Sequence, residues 1–136
     1  MKKRTKKAVL ALALAAGVVG LGGLTVQAAT VATYFFEFQT KVVGDYKYLL
    51  QEKQTSTTAR GTTYLNGSPS AASAGYQITL NAGVFGPSYD TPVWYADGNS
   101  KTHSFGTIKN DTYRIIVEKM SGNTEAIIKG SGRLDQ

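Results

Sequence analysis

The sequence predicts an all-β protein, a single antiparallel β-sandwich of about eight short strands, with a small β-barrel as the alternative way of closing the sheet. Three observations predict it. Valine, isoleucine, threonine, tyrosine and phenylalanine cluster in runs of strand length. Turn-forming pairs separate these runs at Gly44-Asp45, Asn66-Gly67, Gly86-Pro87, Asp97-Gly98, Asn110-Asp111 and Ser121-Gly122-Asn123. Beyond the N-terminal segment no window sustains a helical apolar period.

The N-terminal segment is excluded from this count. Lys2, Lys3, Arg4, Lys6 and Lys7 precede an unbroken apolar run from Ala8 to Leu24, and Val26-Gln27-Ala28 then supplies small residues for a peptidase. This is the pattern of a secretory signal peptide, too short and too rich in glycine for a spanning helix. Cleavage is expected after Ala28, with Ala29 the next choice. The chain then divides into a signal peptide, 1–28, and one secreted domain, 29–136. An uncleaved membrane anchor is the alternative reading.

Removing the leader changes the charge. The formal +6 of the whole sequence becomes +1, with ten basic against nine acidic side chains, so the basicity that would point to nucleic acid belongs to the export segment. No nucleic-acid partner is expected. The absence of cysteine excludes disulfides, thiolate metal sites and a cysteine nucleophile. A lysine-rich leader before a cysteine-free body points to an extracellular protein of a Gram-positive bacterium.

Taken in order, the expected strands are Val31 to Thr40, Tyr46 to Lys53, Gly61 to Leu65, Gly75 to Asn81, Thr91 to Ala96, Lys101 to Ile108, Thr112 to Lys119 and Glu125 to Gly132. In the first, "ATYFFEFQ" places Tyr34, Phe36 and Phe38 on one face and Phe35 with Glu37 on the other, which suggests a central strand covered on both sides. The stretch from Thr55 to Gly75 is poor in large apolar residues, and Asn66 to Ala74 within it reads as a long mobile loop. Around Ser121-Gly122-Asn123 a hairpin would set Lys119 against Glu125 and Val117 against Ile127, with Tyr113, Ile115 and Val117 on one face.

The stretch "PVWYADGNSKTHSFG", Pro92 to Gly106, holds the only tryptophan and the only histidine. Read as a hairpin turning at Asp97-Gly98, it pairs Trp94 with Lys101 and Pro92 with His103. Trp94, Lys101, His103 and Phe105 then share one face, and Val93, Tyr95, Thr102 and Ser104 the other. An odd loop would move Trp94 to the face of Thr102. The first register builds an aromatic platform beside a cation and an imidazole, suited to a sugar ring or an anionic headgroup. Trp94, Tyr95, Lys101, His103 and Phe105 are therefore the candidate binding residues, against the plainer reading that Trp94 and Phe105 are core.

Within it, "SKTHS", Ser100 to Ser104, resembles a segment of the secreted lactococcin-type bacteriocins, and Thr107 and Asn110 fit the same pattern loosely. The resemblance covers about ten residues. It implies a small cysteine-free β-sandwich, made with a signal peptide, that binds the cell-wall precursor lipid II.

Catalysis is not expected. One histidine, no cysteine and no nucleophile-elbow pattern leave no triad, no zinc set and no phosphate loop. Asp90, Asp97, Asn99, Asn110 and Asp111 fall in expected loops without a calcium-binding spacing, so neither metal nor cofactor is expected. The function these features favour is non-catalytic binding at the cell envelope, to a glycan, a lipid-linked cell-wall precursor or a surface protein, with membrane contact allowed. The alternatives are a bacteriocin-like or membrane-damaging antimicrobial or toxin protein, and an extracellular matrix protein that assembles itself through "VATYFFEFQ".

Overall fold

The structure, a computed structural model, describes residues 28–136; the signal peptide expected over 1–28 lies outside them except for Ala28. Eleven strands and no helix make up the described residues: β1 (Thr30–Phe38), β2 (Lys41–Val43), β3 (Tyr48–Leu50), β4 (Gln54–Leu65), β5 (Ser68–Pro69), β6 (Gly75–Asn81), β7 (Ser88–Asp90), β8 (Trp94–Tyr95), β9 (Asp97–Thr107), β10 (Asp111–Ser121) and β11 (Ile127–Asp135). All pairings are antiparallel. In sheet one, β1, β11 and β4 lie side by side, and β9 and β5 share the far side of β4. In sheet two, β10 and β6 are central; β2 and β3 flank β10, and β7 and β8 flank β6. The two sheets pack face to face as a β-sandwich.

The inward faces follow from alternation. From sheet two come Tyr76, Ile78 and Leu80 of β6 and Tyr113, Ile115 and Val117 of β10, all buried. From sheet one come Tyr34, Phe36 and Phe38 of β1 with Ile128 and Leu134 of β11. The expected sharing of one face by Tyr113, Ile115 and Val117, and by Tyr34, Phe36 and Phe38, is what the burial shows. The third strand of this face, β4, presents only Thr55, Thr57, Ala59, Gly61 and Thr63 inward. Small residues suffice there because β1 leans over its neighbours. Tyr34 lies across its cross-strand partner Gly132, and Phe36 across Gly130. A methyl group on Gly132 would run into the Tyr34 ring, and one on Gly130 into the Arg60 carbonyl and the ring of Phe36.

Several local expectations are corrected. The strand expected from Gly61 begins at Gln54, so most of the first half of the polar stretch is a central strand rather than linker. Its buried hydroxyls are all bonded: Thr55 to the Lys53 carbonyl at 2.9 Å, Thr57 to that of Arg133 at 2.9 Å, and Thr63 to that of Ala96 at 3.0 Å. A β-branched side chain whose one polar atom is satisfied buries as well as valine would. After β4, Asn66 (φ 52°) and Gly67 (φ 79°) form a tight two-residue turn into β5, so the expected long loop opens with a hairpin.

β1 is not central. It pairs with β11 alone, and Phe35 is exposed on the outer face of the sheet instead of lying under a second layer. The strand expected over Tyr46 to Lys53 shortens to β3, the one over Thr91 to Ala96 shortens to β8, and β2, β5 and β7 were not anticipated.

Neither expected hairpin forms. β10 is flanked on both sides within sheet two, so the chain after Ser121 crosses to sheet one, where β11 pairs with β1 and β4. Lys119 ties this crossing, its Nζ donating to the carbonyls of Asn123 (2.7 Å), Thr124 (3.2 Å) and Ala126 (2.9 Å). At Asp97-Gly98 the turn chemistry is present but makes a bulge. Asp97 Oδ1 accepts the Asn99 amide at 3.0 Å, Gly98 takes φ 85°, and β9 spends one more residue than β4 between its pairs Arg60↔Ser100 and Thr62↔Asp97. The sheet crossing sits one residue earlier. Ala96 donates to Ala74 O at 2.8 Å and accepts the Thr63 amide at 3.0 Å, which hands the chain from β8 in sheet two to β9 in sheet one.

Candidate functional site

The crossing at Ala96 separates the residues that a hairpin would have gathered. Trp94 pairs with Tyr76 and is buried, its ring edge-on to Tyr76 at 6.2 Å. Tyr95 points the other way and is exposed. Lys101 reaches back to its own strand start, with Nζ 2.8 Å from Asp97 Oδ1 and 3.0 Å from the Tyr95 carbonyl. The Lys101 ammonium and the Asn99 amide together hold the exposed Asp97 carboxyl down to about 2. His103 and Phe105 touch edge to face, ring centroids 5.4 Å apart. His103 pairs with the buried Thr57 and Lys101 with the buried Ala59, so Lys101, His103 and Phe105 all lie on the inward side of the edge strand, half-buried. The structure thus keeps those three together and places Trp94 in the core.

The expected oxygen-rich loops are mostly strand ends. Asp90 accepts the Thr79 hydroxyl at 2.5 Å and Asp111 the Thr112 amide at 2.7 Å. Among the described residues no three His, Asp or Glu side chains converge as a metal site would require.

The outward face of sheet one carries a different set. Register places Phe35, Ser131, Arg60 and Ser100 in one row across β1, β11, β4 and β9, and Thr33, Arg133, Thr58 and Thr102 in the next. A third row holds Glu37, Lys129, Thr62 and Asp97. Cross-strand partners point to the same side, so the first two rows together present two guanidinium groups, five hydroxyls and one phenyl ring. All of these residues except Thr102 line a shallow hollow of about 290 Å³.

Most charges on this face are already matched. Lys129 Nζ sits 3.7 Å from Glu37 and 5.1 Å above the Tyr64 ring. Arg133 Nε meets Asp135 Oδ2 at 3.0 Å, which holds the guanidinium by one edge, while Thr30 donates to the other carboxylate oxygen at 2.7 Å. Thr58 and Thr102 share a hydroxyl bond of 2.8 Å. Arg60 stands apart, since none of the ion pairs of the described residues includes it. Its guanidinium lines the hollow, and among the described residues no side-chain or backbone acceptor bonds it.

The sequence brings forward Phe35 and Glu37 of β1 and Asp97, Ser100 and Thr102 of β9, but not Arg60, Ser131 or Arg133, the residues that make the face distinctive. The signal was there in "IIKGSGRLD", where Lys129, Ser131, Arg133 and Asp135 alternate with Gly130, Gly132 and Leu134. The glycines hide it, because they read as turn residues until Tyr34 and Phe36 are seen to cover them.

The class these features define is a two-sheet antiparallel sandwich with a hydroxyl- and guanidinium-bearing sheet face. Compared with known proteins, the chain matches no family model, no curated protein and no solved structure.

Proposed function

We propose that this is a secreted bacterial β-sandwich protein that acts by non-catalytic binding at the cell envelope, and that a glycan chain lies across the outward face of sheet one. The observation that carries this is Arg60, an unpaired guanidinium set among hydroxyls in a hollow with Phe35 at its edge. Four strands at about 4.8 Å spacing give a row of roughly 14 Å, long enough for a short run of sugar rings. Ser, Thr and Arg side chains match the hydroxyls and acidic groups of such a chain, and the Phe35 ring offers a face for stacking.

The "SKTHS" segment contributes Ser100, Thr102 and Ser104 to the same face, which keeps a lipid-linked precursor among the envelope ligands considered. Secretion rests on the leader. Release after Ala28 suits the fold, because Ala29 is already bonded into the sheet, donating to Gln136 O at 2.8 Å and accepting its amide at 3.0 Å.

The test is co-sedimentation of the chain from Ala29 onward with purified cell-wall material. Binding is expected, with Arg60→Ala weakening it about tenfold, in line with the loss of one charge-assisted contact. Equal binding by Arg60→Ala would remove this face from consideration. Absence of binding to every envelope fraction would overturn the reading as a whole.

A further inference from the structure

The turn between β6 and β7, residues 82–87, reads A-G-V-F-G-P. At its apex Val84 is 94% and Phe85 102% exposed, the most exposed of the large apolar side chains described. A slack loop would fold such a pair back onto the protein. This turn is instead held from within: Ala82 donates to Pro87 O at 3.0 Å, Gly83 to Asn81 Oδ1 at 2.9 Å, and Gly86 to Gly83 O at 3.3 Å. Gly83 takes φ 104°, and a methyl group on Gly86 would meet Ala82 at 2.6 Å, so both glycines are needed to close the turn this tightly. The construction fixes the two side chains outward.

Beside the turn, on the outward face of sheet two, a hollow of about 420 Å³ runs from Asn81, Ala82 and Gly83 to Lys47, Arg114 and Ile116. Lys47 and Arg114 belong to none of the ion pairs of the described residues. The single acid of the hollow, Asp111, takes the Thr112 amide. Val43 and Leu49 are also exposed on the neighbouring strands. A rigid aliphatic and aromatic tip next to unpaired cations is complementary to an anionic bilayer, whose interface accepts the apolar pair and whose headgroup phosphates accept the cations.

We propose that the Val84-Phe85 turn is a membrane-docking element, its tip entering the interfacial layer of an anionic lipid surface while Lys47 and Arg114 face the phosphates. This surface is separate from the glycan face on sheet one, and neither depends on the other.

The experiment is vesicle co-sedimentation of the chain from Ala29 onward, with phosphatidylglycerol-containing and pure phosphatidylcholine vesicles. Binding is expected to the anionic vesicles, weakened by salt and by Arg114→Gln. The double variant Val84→Ser, Phe85→Ser should lose roughly tenfold or more in partitioning, since two apolar side chains leave the interface, with its melting temperature unchanged. A Phe85→Trp variant should show a blue-shifted emission that brominated lipid quenches. No binding to anionic vesicles, an unshifted Phe85→Trp signal, or full binding by the double serine variant would each overturn the proposal. So would a concentration-dependent dimer abolished by the serine pair, which would assign the tip to a second copy. Sedimentation with lipid-free wall material should be the same for the serine variant and the parent, which distinguishes failure here from failure of the glycan reading.

Discussion

The hydroxyls of Tyr34 and Thr57 meet at 2.7 Å inside the sandwich, two strands apart, with Gly132 between them. Thr57 gives its one hydroxyl proton to the Arg133 carbonyl at 2.9 Å, so Tyr34 is the donor of the pair. Tyr76, also fully buried, has a hydroxyl with no partner among the described residues. The two tyrosines therefore respond in opposite directions to loss of the hydroxyl. Tyr34→Phe should cost about 1 kcal/mol, the net value of one buried hydrogen bond, and Tyr76→Phe should be neutral or stabilising by about the same amount. Thr57→Val strands the Tyr34 donor and should cost more than Tyr34→Phe, whereas the double variant should cost less than the sum. Denaturant melts of the four proteins check this, and equal losses for both tyrosines would contradict it.

Gly132 exists to admit the Tyr34 ring. Any Cβ there sits inside the ring's van der Waals surface, and Tyr34 cannot move without breaking its bond to Thr57. Gly132→Ala should destabilise by roughly 1–3 kcal/mol through overpacking. Combining it with Tyr34→Leu should restore part of that loss, which a thermal melt series will show.

The Asp97 carboxyl has a folded value of about 2 against an ordinary value of 3.8. A depressed acid contributes stability that is present above the ordinary value and lost as pH falls toward the folded one. Stability should therefore fall between about pH 4 and pH 2, and Asp97→Asn should flatten that part of the profile. Because both side chains of the pair are partly exposed to solvent, salt should shrink the effect. Melting temperatures of parent and variant across this range provide the measurement.

Burial pushes the phenols of Tyr48, Tyr76 and Tyr113 up to about 12, and that of Tyr34 higher still. A raised acid stabilises fully below its ordinary value of 10 and loses that contribution as pH rises toward 12. Four of the eight tyrosines should thus ionise only as the sandwich opens. A near-ultraviolet absorbance titration should show a late, cooperative step coinciding with loss of β-sheet circular dichroism; four early, independent ionisations would contradict the burial.

What the sequence made legible was local, and what it hid was the partner of each strand. Alternation placed Tyr113, Ile115 and Val117, and Tyr34, Phe36 and Phe38, on their true inward faces, and Gly75 to Asn81 is β6 to the residue. The turn residues Asp97 and Gly98 also adopt the backbone they favour. Whether that backbone ends a strand or bulges one depends on Ala74, Thr63 and Ala96, residues with no signal of their own. The first half of β4, Gln54 to Arg60, escaped notice because threonine reads as polar until each hydroxyl is seen to be bonded. The same blindness covered the outer face, since Arg60 is unremarkable until register sets Ser131 and Ser100 beside it.

Lys119 shows how such a crossing is held. Its ammonium caps three carbonyls of the segment that carries the chain from sheet two to sheet one, and burial lowers its affinity for the proton. The three acceptors lie outside the strands, where Asn123 O also takes the Ala126 amide at 3.1 Å and Thr124 O the Gln39 side chain at 3.0 Å, so Lys119 Nζ is the one donor that joins all three. Lys119→Met keeps the apolar stem and removes the donors. It should cost about 1–3 kcal/mol and raise amide exchange over residues 121–126 more than in β6. Exchange that rises evenly over the whole sandwich would instead mark Lys119 as a bystander, leaving the crossing to the bond from Gln39 Nε2 to Thr124 O at 3.0 Å.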